Sequence, residues 1–178
     1  SAKLFVTSKL IGSALRGFYS KLGGEGFSPG AEFSAAADAA REVGATVVLG
    51  DRDVDVTLRR LAEAAQRTDF SKVSFEDLDA ASASVLGVGD PTSVTSAELS
   101  AMVERMKERG NTDKLMAAVE AALPELYGAL VGERDEYMGR GLDELGAGRA
   151  VAVVGVAHLR GIVEYLEGRG WKQQGGCV

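Results

Sequence analysis

Three short runs hold the residues whose types and spacing could do chemistry. Gly50-Asp51-Arg52-Asp53 ends an apolar run, Ala45 to Leu49. Gly155-Val156-Ala157-His158 ends a second apolar run, Ala150 to Val154, and carries the only histidine. Glu133-Arg134 interrupts the apolar stripe of a long helical pattern. An imidazole can move a proton near neutrality or bind a metal through a neutral ring nitrogen. Carboxylates such as Asp51, Glu133 and Glu32 offer oxygen ligands that suit a hard divalent ion. The guanidinium groups of Arg52 and Arg134 could hold a developing oxyanion or a substrate carboxylate. A single histidine is too few for a catalytic zinc site, which usually has three protein ligands. Taken alone, a histidine is also more often structural.

Several elements must position these residues. Ala45–Leu49 and Ala150–Val154 are short, rich in β-branched residues and apolar on both faces, the pattern of buried strands in a parallel sheet. The fold expected is α/β and helix-rich, with few buried parallel strands, about 45–49 and 150–154, flanked by many helices. In open α/β sheets ligands bind beyond the carboxyl ends of the strands. Both strands would therefore deliver their polar residues to one edge, with His158 at the start of the following helix. Helices are predicted over 4–22, 31–43, 54–66, 124–145 and 159–168 from apolar spacing, with Gly44 stopping the second and Pro124 opening the fourth. Residues 67–123 read as two or three further helices with start signals at Ser74, Thr95-Ser96 and Thr112-Asp113, a helical insertion within one domain. Gly87 to Ser93 reads as a loop. Arg134 falls inside the stripe of the helix over 124–145, so it needs an acidic partner; Asp51, Asp53 and Glu133 are the candidates.

Composition narrows the function classes. Hydrophobic residues make up 46% and charged residues 26% of 178 residues, which fits one globular domain and argues against disorder. The net charge of −6 and the lack of a basic stripe argue against a nucleic-acid partner. No apolar run is long enough to span a bilayer. The lone cysteine, Cys177, excludes a disulfide framework within one chain and fits a reducing, intracellular compartment.

Pro29-Gly-Ala-Glu32-Phe, Leu49-Gly-Asp-Arg-Asp-Val with Thr57-Leu-Arg-Arg60, Gly132-Glu-Arg-Asp-Glu-Tyr-Met138 and Val153-Val-Gly-Val-Ala-His-Leu-Arg-Gly-Ile162 resemble, in order and spacing, the TraB family, which is grouped with the GumN and Tiki proteins. The resemblance covers nearly the whole chain. It implies an α/β fold shared with a set of hydrolases, of which the Tiki members are described as metal-dependent proteases. Gly155 and His158 match the family's C-terminal G-x-x-H, Glu133-Arg134 its Glu-Arg helix motif, Asp51-Arg52 its Asp-Arg after a strand, and Glu32 the acid of its Pro-Gly-x-Glu. The family's opening strand, with G-T-x-H, is not found in these residues. The chain therefore reads as a single TraB-like domain over 1–178, incomplete at its N-terminus.

The resemblance implies a metal-dependent, peptidase-like hydrolase acting on a peptide or small molecule. His158 and Glu32 would be metal ligands to a divalent ion, and Glu133, Arg134, Arg52 and Asp51 would be catalytic. The alternative is a non-catalytic regulatory, binding or organelle-tethering domain of the same fold. A homo-oligomer, or pairing with a missing N-terminal segment, is expected from an exposed sheet edge.

Overall fold

A computed structural model describes residues 30–86, 96–146 and 148–175. The expected helix over 4–22, the loop over 87–93 and Cys177 lie outside them. The described residues form helices α1 (Ala31–Glu42), α2 (Val54–Arg67), α3 (Phe75–Leu86), α4 (Ser96–Lys107), α5 (Arg109–Ala122), α6 (Pro124–Tyr127), α7 (Glu133–Glu144) and α8 (Val156–Gly168). A 3-10 turn, Phe70–Lys72, joins α2 to α3, and a π-helical segment, Gly128–Gly132, joins α6 to α7. No helix among the described residues is long and apolar enough to cross a membrane.

Local chemistry sets the helix ends. Asp53 caps α2, its carboxylate accepting from the Asp55 N–H at 2.7 Å, and so satisfies one of the free N–H groups of the first turn. Gly44 stops α1 in the left-handed conformation, φ +68°. Its N–H donates to Arg41 O and the next N–H, of Ala45, to Ala40 O, the paired bonds of a Schellman stop.

The expected α/β architecture is not what forms. No strand or sheet occurs among the described residues, which corrects the reading of 45–49 and 150–154 as buried parallel strands. Both segments lack a ladder, and their apolar side chains face outward: Leu49 is 92% exposed and Val151 93%. An apolar β-branched run favours extended backbone, but a strand exists only where a neighbour bonds its N–H and C=O groups. Neither segment has one among the described residues, so each connects helices as an extended segment leading into a helix N-terminus.

Helix packing supplies the core. α7 and α8 lie closest together, α3 packs on α5, and α2 packs on α6 and the π segment. Leu61 and Ala64 of α2 meet Ala129 of the π segment, with Leu126 against them. Val131, Met138 and Ile162 are also buried, and α7 and α8 both contact the π segment. The core is made largely of small residues, so backbones approach closely and polar side chains bridge the gaps.

Candidate functional site

Glu133, Arg134 and Asp135 open α7 directly after the π segment. Successive residues on a helix point about 100° apart, so these three side chains reach three different neighbours. π segments recur at functional sites because they re-aim the side chains that follow. Here the segment also hands two backbone carbonyls to guanidinium groups.

Glu133 reaches α2 and the segment before it. Arg52 Nη1 donates to Glu133 Oε2 at 2.7 Å, its Nε to Thr57 Oγ1 at 2.9 Å and its Nη2 to the Ala129 carbonyl at 2.5 Å. Arg60 donates to the same carboxylate through Nε and Nη2, the latter at 2.6 Å to Oε1, and through Nη1 to Glu63. Two guanidinium groups thus share one carboxylate. The Arg60 bond, opposed by burial and reinforced by the Arg52 bond, holds the Glu133 pKa at about 2, below its usual 4.5. The same contact raises the Arg60 pKa.

Arg134 reaches the segment before α2. Its Nε and Nη2 donate to Asp51 Oδ1 and Oδ2 at 3.1 and 2.6 Å, a bidentate pair, and its Nη1 to the Leu130 carbonyl at 3.0 Å. The acidic partner expected for Arg134 is therefore Asp51. Burial works to raise the Asp51 pKa, but the Arg134 bond and charge, the Arg52 N–H and the nearby His158 outweigh it and lower it.

Asp135 turns to α8 and was not singled out from the sequence. It is 5% exposed, and its Oδ1 lies 2.6 Å from His158 Nδ1. A buried carboxylate must find a partner, and an ionised carboxylate can only accept. Against an ionised carboxylate a neutral ring would place its hydrogen on Nδ1 and keep Nε2 as a lone pair. A signal for Asp135 existed in the sequence: Val131, Asp135, Met138 and Leu142 fall at helical spacing on one apolar stripe. A carboxylate at a core position is the exception that carries information. On the Asp135 side runs an open groove of about 370 Å³, lined by Tyr127, Asp135, Arg160, Gly161, Glu164 and Tyr165 among others, but not by His158.

The structure thus brings together Asp51, Arg52, Glu133, Arg134 and His158, and adds Arg60 and Asp135. It does not bring in Glu32, which is exposed in the first turn of α1, a helix with no buried residue, and which shares no hydrogen bond with the cluster. No group of three or more metal-ligating side chains occurs among the described residues. His158 Nε2 has the form of a metal-bound imidazole, whose other nitrogen donates to a carboxylate. The neighbouring carboxylates, however, are held by guanidinium groups. By themselves the described residues do not fit a metal site.

The sequence model of the TraB/PrgY/gumN family matches residues 13–174. An uncharacterized protein of Methanocaldococcus jannaschii is 33% identical over 144 residues, which cover 80% of this chain and 33% of that protein. The chain thus spans about a third of the length of the curated relative that it matches. No solved structure matches it.

Proposed function

The chain belongs to the TraB/PrgY/gumN family, and from that premise we propose that it carries part of a hydrolase site, peptidase-like in its chemistry, centred on His158. The observation that supports this is the partly buried Asp135–His158 pair at 2.6 Å, in which a carboxylate accepting from Nδ1–H leaves Nε2 as a base. In this reading Nε2 takes the proton of an attacking water as its oxygen bonds to the substrate carbonyl carbon. It then returns that proton to the leaving amine as the C–N bond breaks. Asp135 accepts from Nδ1–H throughout and stabilises the imidazolium formed in between. Arg134 has N–H groups beyond its three bonds; it is more exposed than Arg52, 22% against 9%, and, unlike the 35% exposed Arg60, shares its carboxylate with no second guanidinium. It is the better placed to meet a developing oxyanion. Glu133, Arg52 and Asp51, each held by partners, set the frame around it.

The divalent ion that the family resemblance implies does not fit the described residues by themselves, and no step above is routed through it.

The tying-up of Asp51 and Glu133 by guanidinium groups favours a second reading, a non-catalytic regulatory domain of the same fold. Metal analysis and a peptidase assay on the full-length protein, with His158→Ala beside it, separate the two. The hydrolase reading expects turnover that His158→Ala lowers by about 100-fold or more. Unchanged turnover and metal content in that variant leave only the regulatory reading.

A further inference from the structure

The contact between α7 and α8 has one position where no side chain fits. A Cβ built on Gly161 would lie 2.7 Å from Asp135 Cγ and 2.9 Å from Asp135 Cβ, and closer still to Oδ2. Gly161 lies one turn beyond His158 on α8, so both face α7 from the same side. The carboxylate of Asp135 therefore rests on the bare backbone of α8 at Gly161 and reaches back to Nδ1 of His158. We infer that Gly161 is a positioning residue for His158, acting through Asp135: the missing side chain is what lets the carboxylate reach the ring and select the Nδ1–H form. The inference rests on His158 being the working group of the proposed site.

What residue 161 meets across the interface is the carboxylate itself. Asp135 is 5% exposed, borders the groove together with Gly161, and has its Oδ1 committed to the histidine. A methyl group at residue 161 must either part the helices or swing the carboxylate off the ring. Both movements break the 2.6 Å contact. Gly139 supplies the comparison. It lies on the same helix interface, and its Cβ would meet the Tyr165 ring at 2.6 and 2.9 Å rather than Asp135. A methyl group there strains the interface to a similar degree and leaves the carboxylate alone.

Because His158 is the only histidine, its ring nitrogens are identified without assignment work. The test is nitrogen-15 NMR of the imidazole, with the ring neutral, in the parent protein and in Gly161→Ala, Gly139→Ala and Asp135→Leu, alongside circular dichroism for folding and peptide turnover. The inference expects well-separated Nδ1 and Nε2 shifts of a single tautomer in the parent and in Gly139→Ala. In Gly161→Ala it expects them to converge toward the averaged values of free imidazole. Retention of the parent tautomer in Gly161→Ala overturns it, as does equal loss in Gly161→Ala and Gly139→Ala. Should Gly161→Ala fail to fold, Asp135→Leu, which offers Nδ1–H no acceptor, carries the test: an unchanged tautomer there removes the link on which the role of Gly161 depends. A tautomer that shifts as expected with turnover unaffected leaves this inference standing and removes the hydrolase reading. Turnover lost with the tautomer intact does the reverse.

Discussion

Three consecutive residues, Glu133, Arg134 and Asp135, bind three different neighbours, and their environments set what each can do. Glu133 lies between two guanidinium groups, Arg134 chelates a half-exposed Asp51, and Asp135 is buried against His158. Removing Arg52 leaves Glu133, Thr57 and the Ala129 carbonyl short of a buried donor, so Arg52→Met should cost about 2–3 kcal/mol in urea unfolding. Arg134→Met should cost about 1 kcal/mol or less, because Asp51, 44% exposed at its side chain, regains water. Equal costs would contradict the burial difference between the pairs. This level was partly legible in the sequence. A guanidinium inside an apolar stripe demands an acid, and Asp51 was among the candidates. Asp135 lies on the same stripe, where the adjacent charges of Glu133 and Arg134 mask it. Nothing in a linear pattern states that Glu133 would have two arginine partners, since Arg60 lies far off in the chain and meets it only through packing.

At the scale of elements, several helix ends were readable because they follow from local chemistry: the Gly44 stop, Pro124 at a first turn and the apolar spacing of α2. The π segment was not, because one inserted residue shifts a periodic pattern less than side-chain variation does. The runs at 45–49 and 150–154 failed for a different reason. Their composition specifies extended backbone, but a sheet needs a partner strand that composition does not supply. The α7–α8 interface gives the prediction at this scale. Gly139→Ala should cost about 1–2 kcal/mol, as the Tyr165 ring turns aside. Gly161→Ala should cost about 2–4 kcal/mol, since it also strands a buried carboxylate. Thermal unfolding of both variants checks this, and a larger loss in Gly139→Ala would reverse the assignment.

For the whole molecule, the cluster couples acid–base chemistry to folding. Glu133 has a folded pKa of about 2 against an ordinary 4.5, so below pH 4.5 the unfolded chain binds the extra proton. The stability it contributes is complete above about pH 4.5 and is lost as pH falls toward 2. Asp51, also lowered, acts in the same direction. With Glu133 a third exposed, solvent screening reduces its share to about 1–2 kcal/mol. Urea midpoints measured from pH 6 to pH 2 should fall less steeply in Glu133→Gln than in the parent, and parallel curves would contradict the pairing. The account as a whole turns on Asp135 and His158 working as one unit. The most direct measurement is peptide turnover by the full-length protein carrying Asp135→Asn, His158→Gln or both. Each single change should lower kcat/KM by about 100-fold or more, and the double change should do no further damage than the worse single one. Full turnover in either single variant, or losses that multiply in the double, would contradict it.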